Sequence, residues 1–356
     1  MKKIFTIIAL FVMSSTIAQN YDFITSGGIS DASKISQEYI RPLEKGMAYA
    51  GSSGIINFTK SKKKISFTVG VNVGMAYTSM KDRTYDLKAL DLEEFEATNP
   101  NYTVAQTISG SMENIDIQTK TKYQVPSLTP PFYKEEPVLK FNSPRGTNIP
   151  LTPYPIFTVG VYGYGTHVNF RYLPNFAPDD KANVVFYGFS IQHNIDEFIP
   201  ILQEWPVHFA LASGFQNTSI EFYLDIQPDK TKAGVSIGPE NGPYDNQKAE
   251  IIVNSIPIQF VAYRSFGVLT VFGGLGYNIV NSTFAMRGNY PIYVTDPVDI
   301  FKISVKDIKD PFENHNDYSS IRFDAGMNIQ VGFMKLMLSY SNSQYQVFQM
   351  GLGVRI

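Results

Sequence analysis

The last nine residues of the chain alternate strictly between two kinds of side chain. Every second position is apolar, and these positions are Phe348, Met350, Leu352, Val354 and Ile356. The positions between them are small or polar, from Gln349 through Gly351 and Gly353 to Arg355. Since successive side chains of a β-strand point to opposite faces, this alternation predicts a strand with one wholly apolar face.

The same pattern recurs at greater length elsewhere. Ile65 to Tyr77 alternate over thirteen positions, and Ile321 to Val331 over eleven. An average soluble strand has about 5–6 residues, whereas a strand that crosses a bilayer needs about 9–11. Further stripes with a period of two lie in 168–172, 185–191, 207–215, 252–260, 269–279 and 334–340.

These strands constrain the fold class because hydrocarbon offers no hydrogen-bond partners to a strand edge. Only a closed barrel pairs every strand on both sides. The sequence therefore predicts an all-β fold, a transmembrane antiparallel β-barrel of the outer-membrane type with about 12 strands (range 10–14). Ten strands are distinct, and the stretch Ala48–Phe58 and the middle of the first long loop would supply the others. A secreted soluble sandwich, with its apolar faces inward, is the alternative.

Composition narrows the function classes. Charged residues make up 17% of the chain, below the roughly 25% of ordinary soluble domains. The formal net charge of −2 gives no electrostatic reason to expect a nucleic-acid partner. The chain has no Cys, which excludes disulfides, thiolate metal sites and a lipoprotein anchor.

The N-terminal segment has the pattern of a secretory signal peptide. Lys2 and Lys3 precede the apolar run Ile4–Met13, and small residues lie at Thr16 and Ala18. The run is too short to span a bilayer as a helix. We predict a signal peptide over 1–18 with cleavage after Ala18. Export and the predicted barrel together indicate a protein of the cell outer membrane.

The mature chain divides into two predicted parts. Residues 19–46 form a plug of the barrel lumen or a periplasmic arm, with a helix over Asp31–Leu43 that ends near Pro42. Residues 47–356 form the barrel. Its extracellular loops are the polar, Pro-rich stretches 79–153, 229–248 and 281–318, which alternate with short turns.

The polar face of the last strands supplies the candidate lumen lining. It comprises Arg322, Asp324, Asn328, Gln330, Gln349 and Arg355. These side chains fit a passage or an ion-pair network that holds barrel and plug together. Pro257 lies inside the predicted strand Ile251–Tyr263, where proline cannot donate to the ladder. It is a candidate break in the wall, or a harmless bulge.

Catalytic and cofactor chemistry has little support in the sequence. The four histidines are scattered, at His167, His193, His208 and His315, and no Gly-x-Ser-x-Gly nucleophile motif is present. Metal sites need clustered ligands. We therefore expect a protein that is not an enzyme and that has no cofactor and no metal site.

Several runs of the sequence resemble a family. They are YIRPLEKGMAYAGSSG, PIFTVGVYGYGTHVNFRYLP, FYGFSIQHNIDEFIPILQEWPVHFALASGF and VLTVFGGLGYN. They resemble an uncharacterised family of Bacteroidota outer-membrane barrels, most specifically in the Gly-Phe-x-Ile-Gln-His run. The resemblance implies a distant likeness in architecture to long-chain fatty acid transporters of the FadL type.

Two functions follow as hypotheses. The first is passive transport of hydrophobic or amphiphilic small molecules, with a hydrophobic ligand as a partner. The second is a structural or accessory barrel of an envelope or secretion complex, which transports nothing and offers its long loops for docking. Under either hypothesis, outer-membrane lipid and the barrel-insertion machinery are expected partners.

Overall fold

The computed structural model describes residues 28–58, 65–126, 131–176, 181–198, 201, 204–228, 235–238, 241–295 and 303–356. The predicted signal peptide, 1–18, lies outside these residues. No helix in the described part of the chain combines the length and the hydropathy that crossing a membrane requires.

Ten antiparallel strands form a closed barrel in which each strand pairs with its neighbours in chain order. The strands are β1 Ile65–Tyr77, β2 Leu151–Gly163, β3 Thr166–Phe176, β4 Ala182–Asn194, β5 His208–Leu224, β6 Gln247–Phe266, β7 Leu269–Arg287, β8 Ser320–Val331, β9 Met334–Asn342 and β10 Gln346–Arg355. The predicted all-β antiparallel architecture is confirmed.

The first and last strands close the barrel. β1 and β10 pair from Thr68 with Arg355 to Tyr77 with Gln346 without a register shift. Phe67 and Ile356 extend this ladder by donating backbone hydrogen bonds to each other. The terminal strand therefore has no free edge, as a wall in hydrocarbon requires.

The estimate of about 12 strands is not matched exactly, since the ten strands of the barrel lie at the lower limit of the predicted range of 10–14. Ala48–Ser52 is helical, and 55–58 lies in the lumen without joining a ladder. The middle of the first long loop does form strands, but these pair with one another outside the barrel. Apolar residues of both segments are buried inside the lumen or in the loop's own core. Sequence alternation alone does not distinguish such burial from a position in the barrel wall.

The outer face of the barrel carries the apolar stripes. In β10, Phe348, Met350, Leu352 and Val354 are exposed, whereas Val347 and Gln349 are buried inside. In β8, Ile321 and Phe323 are exposed and Arg322 and Asp324 are buried. The apolar faces thus point outward, opposite to those of a soluble sandwich.

A helix, α1 (Ile29–Ser52), lies inside the barrel and packs against the inner faces of its strands. It runs past Pro42, although the sequence predicted an end near Leu43. An interior proline costs a helix about 3 kcal/mol. Burial of Met47, Tyr49 and their neighbours against the wall offsets that cost. Of the two alternatives, plug and arm, α1 has the position of a plug.

The two ends of the barrel differ. At the turn end, short connections join β2 to β3, β6 to β7 and β8 to β9, and a 3-10 helix, Ile195–Phe198, follows β4. At the loop end lie the long segments. α1 begins at the loop end, and the chain leaves it toward the turn end, where β1 starts.

The first loop, between β1 and β2, folds into a small unit that we call the cap (79–126 and 131–150). Its two 3-10 helices are Met80–Asp82 and Leu87–Leu90. Its first two sheets are formed by Thr84–Asp86 with Val104–Gln106 and by Phe95–Ala97, Asp116–Thr119 and Lys140–Asn142. The third is formed by Lys122–Pro126 with Tyr133–Pro137. Its core, around Tyr85, Phe95 and Ile117, packs onto Ala32 and Ile35 of α1.

The remaining loop strands extend the loop end further. Asn289–Thr295 pairs with Ile303–Lys309, which in turn meets Val235–Ser236 in parallel. Phe312–Asp317 pairs with the upper part of β7. β7 reaches Arg287, so it occupies the start of the stretch 281–318 that the sequence predicted as loop.

We expect the Leu352→Arg substitution, on the outer face, to destabilise the barrel by about 2–4 kcal/mol in lipid, because it places a charge at mid-wall. Ile356→Arg, at the turn end, serves as the control and should cost about 0–1 kcal/mol. Denaturant unfolding in liposomes measures both. Equal losses for the two variants would contradict the outward orientation of β10 in a bilayer.

Candidate functional site: the plugged lumen

The C-terminal end of α1, toward the turn end of the barrel, contacts the wall through its last carbonyl groups. A helix end leaves such carbonyls without intrahelical donors. The hydroxyls of Ser52 and Ser53 donate back to Ala48 O (2.6 Å) and Tyr49 O (2.8 Å), and the Ser53 amide donates to Ala50 O (3.2 Å). The last three carbonyls, from Gly51 to Ser53, are left for the wall.

Two buried arginines of the wall donate hydrogen bonds to these carbonyls. Arg171, on β3, donates from Nη1 to Gly51 O (2.9 Å) and from Nη2 to Ser53 O (2.6 Å). Arg322, on β8, donates from Nη1 to Ser52 O (2.8 Å). The last turn of α1 contains no basic residue of its own. The wall therefore supplies the positive charge that the carbonyl end of a helix dipole attracts.

Arg322 is held in turn by Asp324, two positions along the same strand face. Its Nε and Nη2 both lie 2.6 Å from the carboxylate oxygens of Asp324, a two-point pair. Ser341 on β9 accepts from Arg322 (2.9 Å) and also contacts Asp324. We call Arg171, Arg322 and Asp324 the clamp. The cost of removing both charges from water offsets much of their attraction, so a buried ion pair of this kind adds little net stability.

The middle of α1 carries a fully buried carboxylate. Glu44 accepts hydrogen bonds from Ser282 Oγ on β7 (2.6 Å), Tyr318 OH (2.8 Å) and Gln37 Nε2 (2.7 Å). Lys45 Nζ, one residue further, lies 3.0 Å from Asp82 of the cap. These bonds orient one face of the helix toward β7 and the other toward the cap.

The start of α1 is tied to the cap through Asp31. Its carboxylate accepts from the amides of Glu93 (2.8 Å), Glu94 (2.7 Å) and Phe95 (2.9 Å). Asp31 lies in the first helical turn, where negative charge is stabilised by the helix dipole. Plug and cap are therefore one connected unit.

The sequence-predicted lumen residues have different surroundings. Arg322 and Asp324 belong to the clamp, and Asn328 donates to Phe58 O (2.6 Å) below the helix. Gln349 is buried against Gly54, which has φ +68° and lies so close that an added Cβ would be 2.0 Å from the amide nitrogen of Gln349. Gln330 and Arg355 are partly exposed near the turn end. Four of the six predicted residues thus contact or face α1 or the chain that follows it, namely Arg322, Asp324, Asn328 and Gln349. A role in the passage of a solute stays a prediction for all six.

Two residues that carry the plug were not among the predicted site residues. Arg171 lies on the polar side of the Val168–Tyr172 stripe, so its inward orientation was visible in the sequence. Its hydrogen-bond partners, 118 and 120 residues away, were not. Glu44 had no such signal, because a single acid on an amphipathic helix is most often solvated.

Pro257 lies in β6 and is buried. The ladder to β7 continues through the pair Pro257 with Asn278. On the β5 side, within a stretch described in full, pairing lapses between Ser213–Ile258 and Gln216–Ser255 and then resumes in the same register. Pro257 thus interrupts one ladder locally without a register shift, and lateral release of a cargo there stays a prediction.

Among the described residues, no three His, Cys, Asp or Glu side chains are grouped so that they could hold a metal ion.

A second connection at the loop end involves Asp307. Its carboxylate accepts from Asn241 Nδ2 (3.0 Å), the Gly242 amide (2.8 Å), Tyr244 OH (2.6 Å) and Asn289 Nδ2 (2.9 Å). Desolvation raises the pKa of Asp307, but these hydrogen bonds outweigh it and lower the pKa to about 2. Asp307 therefore joins the loops that follow β5 and β7.

Fold and lumen together define a class, a ten-stranded β-barrel closed by an internal helix and covered by a folded loop. The chain belongs to the family of unknown function DUF6588, whose model matches residues 1–356. Curated protein sequences contain no significant match to the chain.

Solved structures of outer-membrane barrels are similar over most of the chain. The translocator domain of the autotransporter NalP from Neisseria meningitidis has 10% identity and a TM-score of 0.26, covering 93% of this chain and 99% of its own. The outer membrane protease OmpT from Escherichia coli has 9% identity and a TM-score of 0.30, with coverages of 85% and 99%. Ail of Yersinia pestis has 9% identity and a TM-score of 0.24, with coverages of 82% and 99%.

The resemblance inferred from sequence is thus supported at the level of an uncharacterised family. Its assignment to Bacteroidota and its likeness to FadL-type transporters have no support in these matches and stay hypotheses.

Acid should release the loop junction at Asp307. A pKa lowered by folding contributes stability that is present above the unfolded value, near 3.9, and is lost as pH falls through about 2. We expect Asp307→Asn to lower the protection of the Gly242 amide, measured as its exchange rate relative to that of an unstructured amide at the same pH, at neutral pH. It should also abolish the further loss of protection that the wild type shows between about pH 4 and pH 2. Asp245→Asn, an exposed neighbour, should change neither. Unaltered exchange in Asp307→Asn would contradict the junction.

Proposed function

We propose that this protein is an outer-membrane β-barrel that holds its cap at the cell surface as a structural or accessory component of the envelope, with a lumen closed to passage. The observation that carries the proposal is the clamp. A helix that fills the lumen is bonded to the wall at its lower end by buried arginines and to the cap at its upper end by Asp31.

The outer-membrane location is supported by the exposure pattern. Apolar side chains form the outer face, and polar or charged ones are buried inside. Water would disfavour such an outer face, whereas lipid requires it. Outer-membrane lipid and the barrel-insertion machinery are the partners that this location implies, and we propose no nucleic-acid partner.

The accessory role is supported by the cap itself. Long structureless loops in a compact domain are uncommon, and here the first loop has its own apolar core and small sheets. Its outer surface carries exposed apolar residues, among them Tyr102, Met112 and Tyr133. An ordered loop with such residues is suited to docking at the cell surface. The proposal contains no catalytic step and no cofactor.

Weakening the clamp should open the lumen intermittently. In planar bilayers we expect no steady conductance from the wild type. We expect brief openings from Arg171→Met, and from Arg322→Met combined with Asp324→Leu, which removes the ion pair without leaving an unpaired charge. Each charged hydrogen bond lost costs about 1.5–3 kcal/mol, so the displaced state of the helix should rise at least about tenfold.

The matched control is Arg264→Met, since Arg264 is an exposed arginine near the turn end. It should behave as the wild type. Steady conductance of the wild-type protein would overturn the proposal of a closed lumen.

Passive transport of hydrophobic or amphiphilic small molecules is the second candidate. The observation that favours it is the lapse of pairing between β5 and β6 beside Pro257. A solute that left sideways through the wall at this point would not have to displace the whole helix. A hydrophobic ligand would then be a partner of the protein.

Pro257→Val tests this candidate, because valine restores the missing backbone donor. If transport uses the lapse, uptake of a labelled fatty acid into proteoliposomes should fall severalfold, whereas Pro153→Val at the start of β2 should leave it unchanged. Equal uptake by Pro257→Val and the wild type would remove the lateral route.

A further inference from the structure

The cap contains an open cavity of about 250 Å³. A water molecule takes up about 30 Å³ in the liquid, so the cavity has room for one side chain or a small molecule. Lys88, Asp91 and Pro100 line it and are exposed, and the cavity therefore opens to the surroundings of the cap. The buried side chains of Leu87 and Leu92 form part of its lining.

Two lysines hold the walls of the cavity in place. Lys88 Nζ donates to Pro100 O (2.8 Å), and Lys120 Nζ donates to Leu92 O (2.5 Å). Each bond joins two segments of the lining that are separate in the chain. Because the walls are fixed before a ligand arrives, binding does not have to order them first.

The strand Phe95–Ala97 lines the cavity and lies at the edge of its sheet. Glu94 O accepts from the Lys120 amide (2.8 Å), and the Thr98 amide donates to Asp116 O (2.9 Å). In an antiparallel pair, only every second residue directs its backbone groups toward the partner strand. The amide and carbonyl groups of Phe95 and Ala97 therefore point away from the neighbouring strand, to the free edge.

Three of these four backbone groups are available to a ligand. The Phe95 amide already donates to Asp31 (2.9 Å). The Phe95 carbonyl and both backbone groups of Ala97 have no hydrogen-bond partner in the described part of the chain. An edge with acceptor, donor and acceptor in succession is a template to which an extended peptide can add as a further strand.

The lining also discriminates between ligands. Its apolar part is mainly aliphatic, with Leu87, Leu92, Ala97 and Pro100. The ring of Phe95 is only 1% exposed, so it offers no face on which a sugar could stack. The charged residues among those that the structure describes in the lining are balanced in sign, namely Lys88, Lys120, Asp91 and Glu96. An uncharged aliphatic group therefore fits the cavity better than a sugar or an ion.

We propose that an extended peptide of a partner protein adds to the free edge of Phe95–Ala97 and inserts one aliphatic side chain into the cavity beside it. Main-chain hydrogen bonds hold the peptide, and the cavity selects its side chain. This inference rests on the proposed function, because it names the partner chemistry of the cap's docking role. It does not involve the closed lumen.

The test uses the full ¹⁵N-labelled barrel in detergent and the blocked peptide Ac-Thr-Leu-Thr-NH2. The peptide should shift the amide resonance of Ala97, because this amide gains an acceptor. It should not shift that of Lys140, which lies in the strand at the opposite edge of the same sheet.

Two altered peptides separate the contributions. Aspartate in place of leucine should weaken binding at least about tenfold, because the apolar anchor is lost. N-methylation at every residue of the peptide should weaken binding severalfold, because the donors to the Phe95 and Ala97 carbonyls are lost.

Ala97→Trp places a large side chain in the lining and should abolish binding, measured on the resonances of the peptide. Val138→Trp, at an exposed position of the cap outside the lining, is the matched control and should bind as the wild type does. A heat-shifted band on a detergent gel shows that the barrel of each variant is folded. If Ala97→Trp disturbs the cap, the comparison of the three peptides on the wild type still decides.

The inference is wrong if the leucine peptide leaves the Ala97 amide of the folded wild type unshifted, or if the N-methylated peptide binds equally well. A shift caused by glucose and not by the peptide would also overturn it, in favour of a sugar site. None of these results would alter the conductance of the barrel, so failure of this inference is distinguishable from failure of the closed lumen.

Discussion

Closure of the backbone ladder between β1 and β10 is the constraint on which the rest of the structure depends. A strand edge in hydrocarbon has no water to pair with, so the tenth strand must return to the first. The unbroken register from Thr68–Arg355 to Tyr77–Gln346 achieves this. Closure then creates an interior that receives every second side chain of all ten strands, and that interior has to be filled or hydrated.

A helix fills the interior of the barrel, but the carbonyls at its C-terminal end then need hydrogen-bond donors. α1 satisfies its own backbone except at its ends, and it buries apolar side chains against the wall. Its final carbonyls would be orphaned in a lumen with little water. The arginines of the clamp supply the donors that these carbonyls need. In a barrel with an open lumen, water would hydrate Arg171, which is fully buried here.

The sequence predicts the wall better than the interior. Alternation in Ile321–Val331 assigns each side chain to a face, because a strand has only two faces. It also identifies Arg322 and Asp324 as inward residues. It does not identify what they hold, since Ser52 is 270 positions from Arg322. The ten distinct strands form the barrel, whereas the further strand allowed for at Ala48–Phe58 does not, because a small-residue segment packs equally well as a helix against a wall or as a strand within it.

The polarity of α1 relates the plug to the cap. The helix begins beside Phe95 of the cap, and its chain descends to the turn end before β1 starts. Its positive end thus meets Asp31 and the cap, and its negative end meets the arginines of the wall. A helix of the opposite direction would place its carbonyl end at the acidic side chains Glu93 and Glu94 and its amide end at Arg171 and Arg322. The charges at the two ends of the lumen therefore favour one direction of the plug over the other.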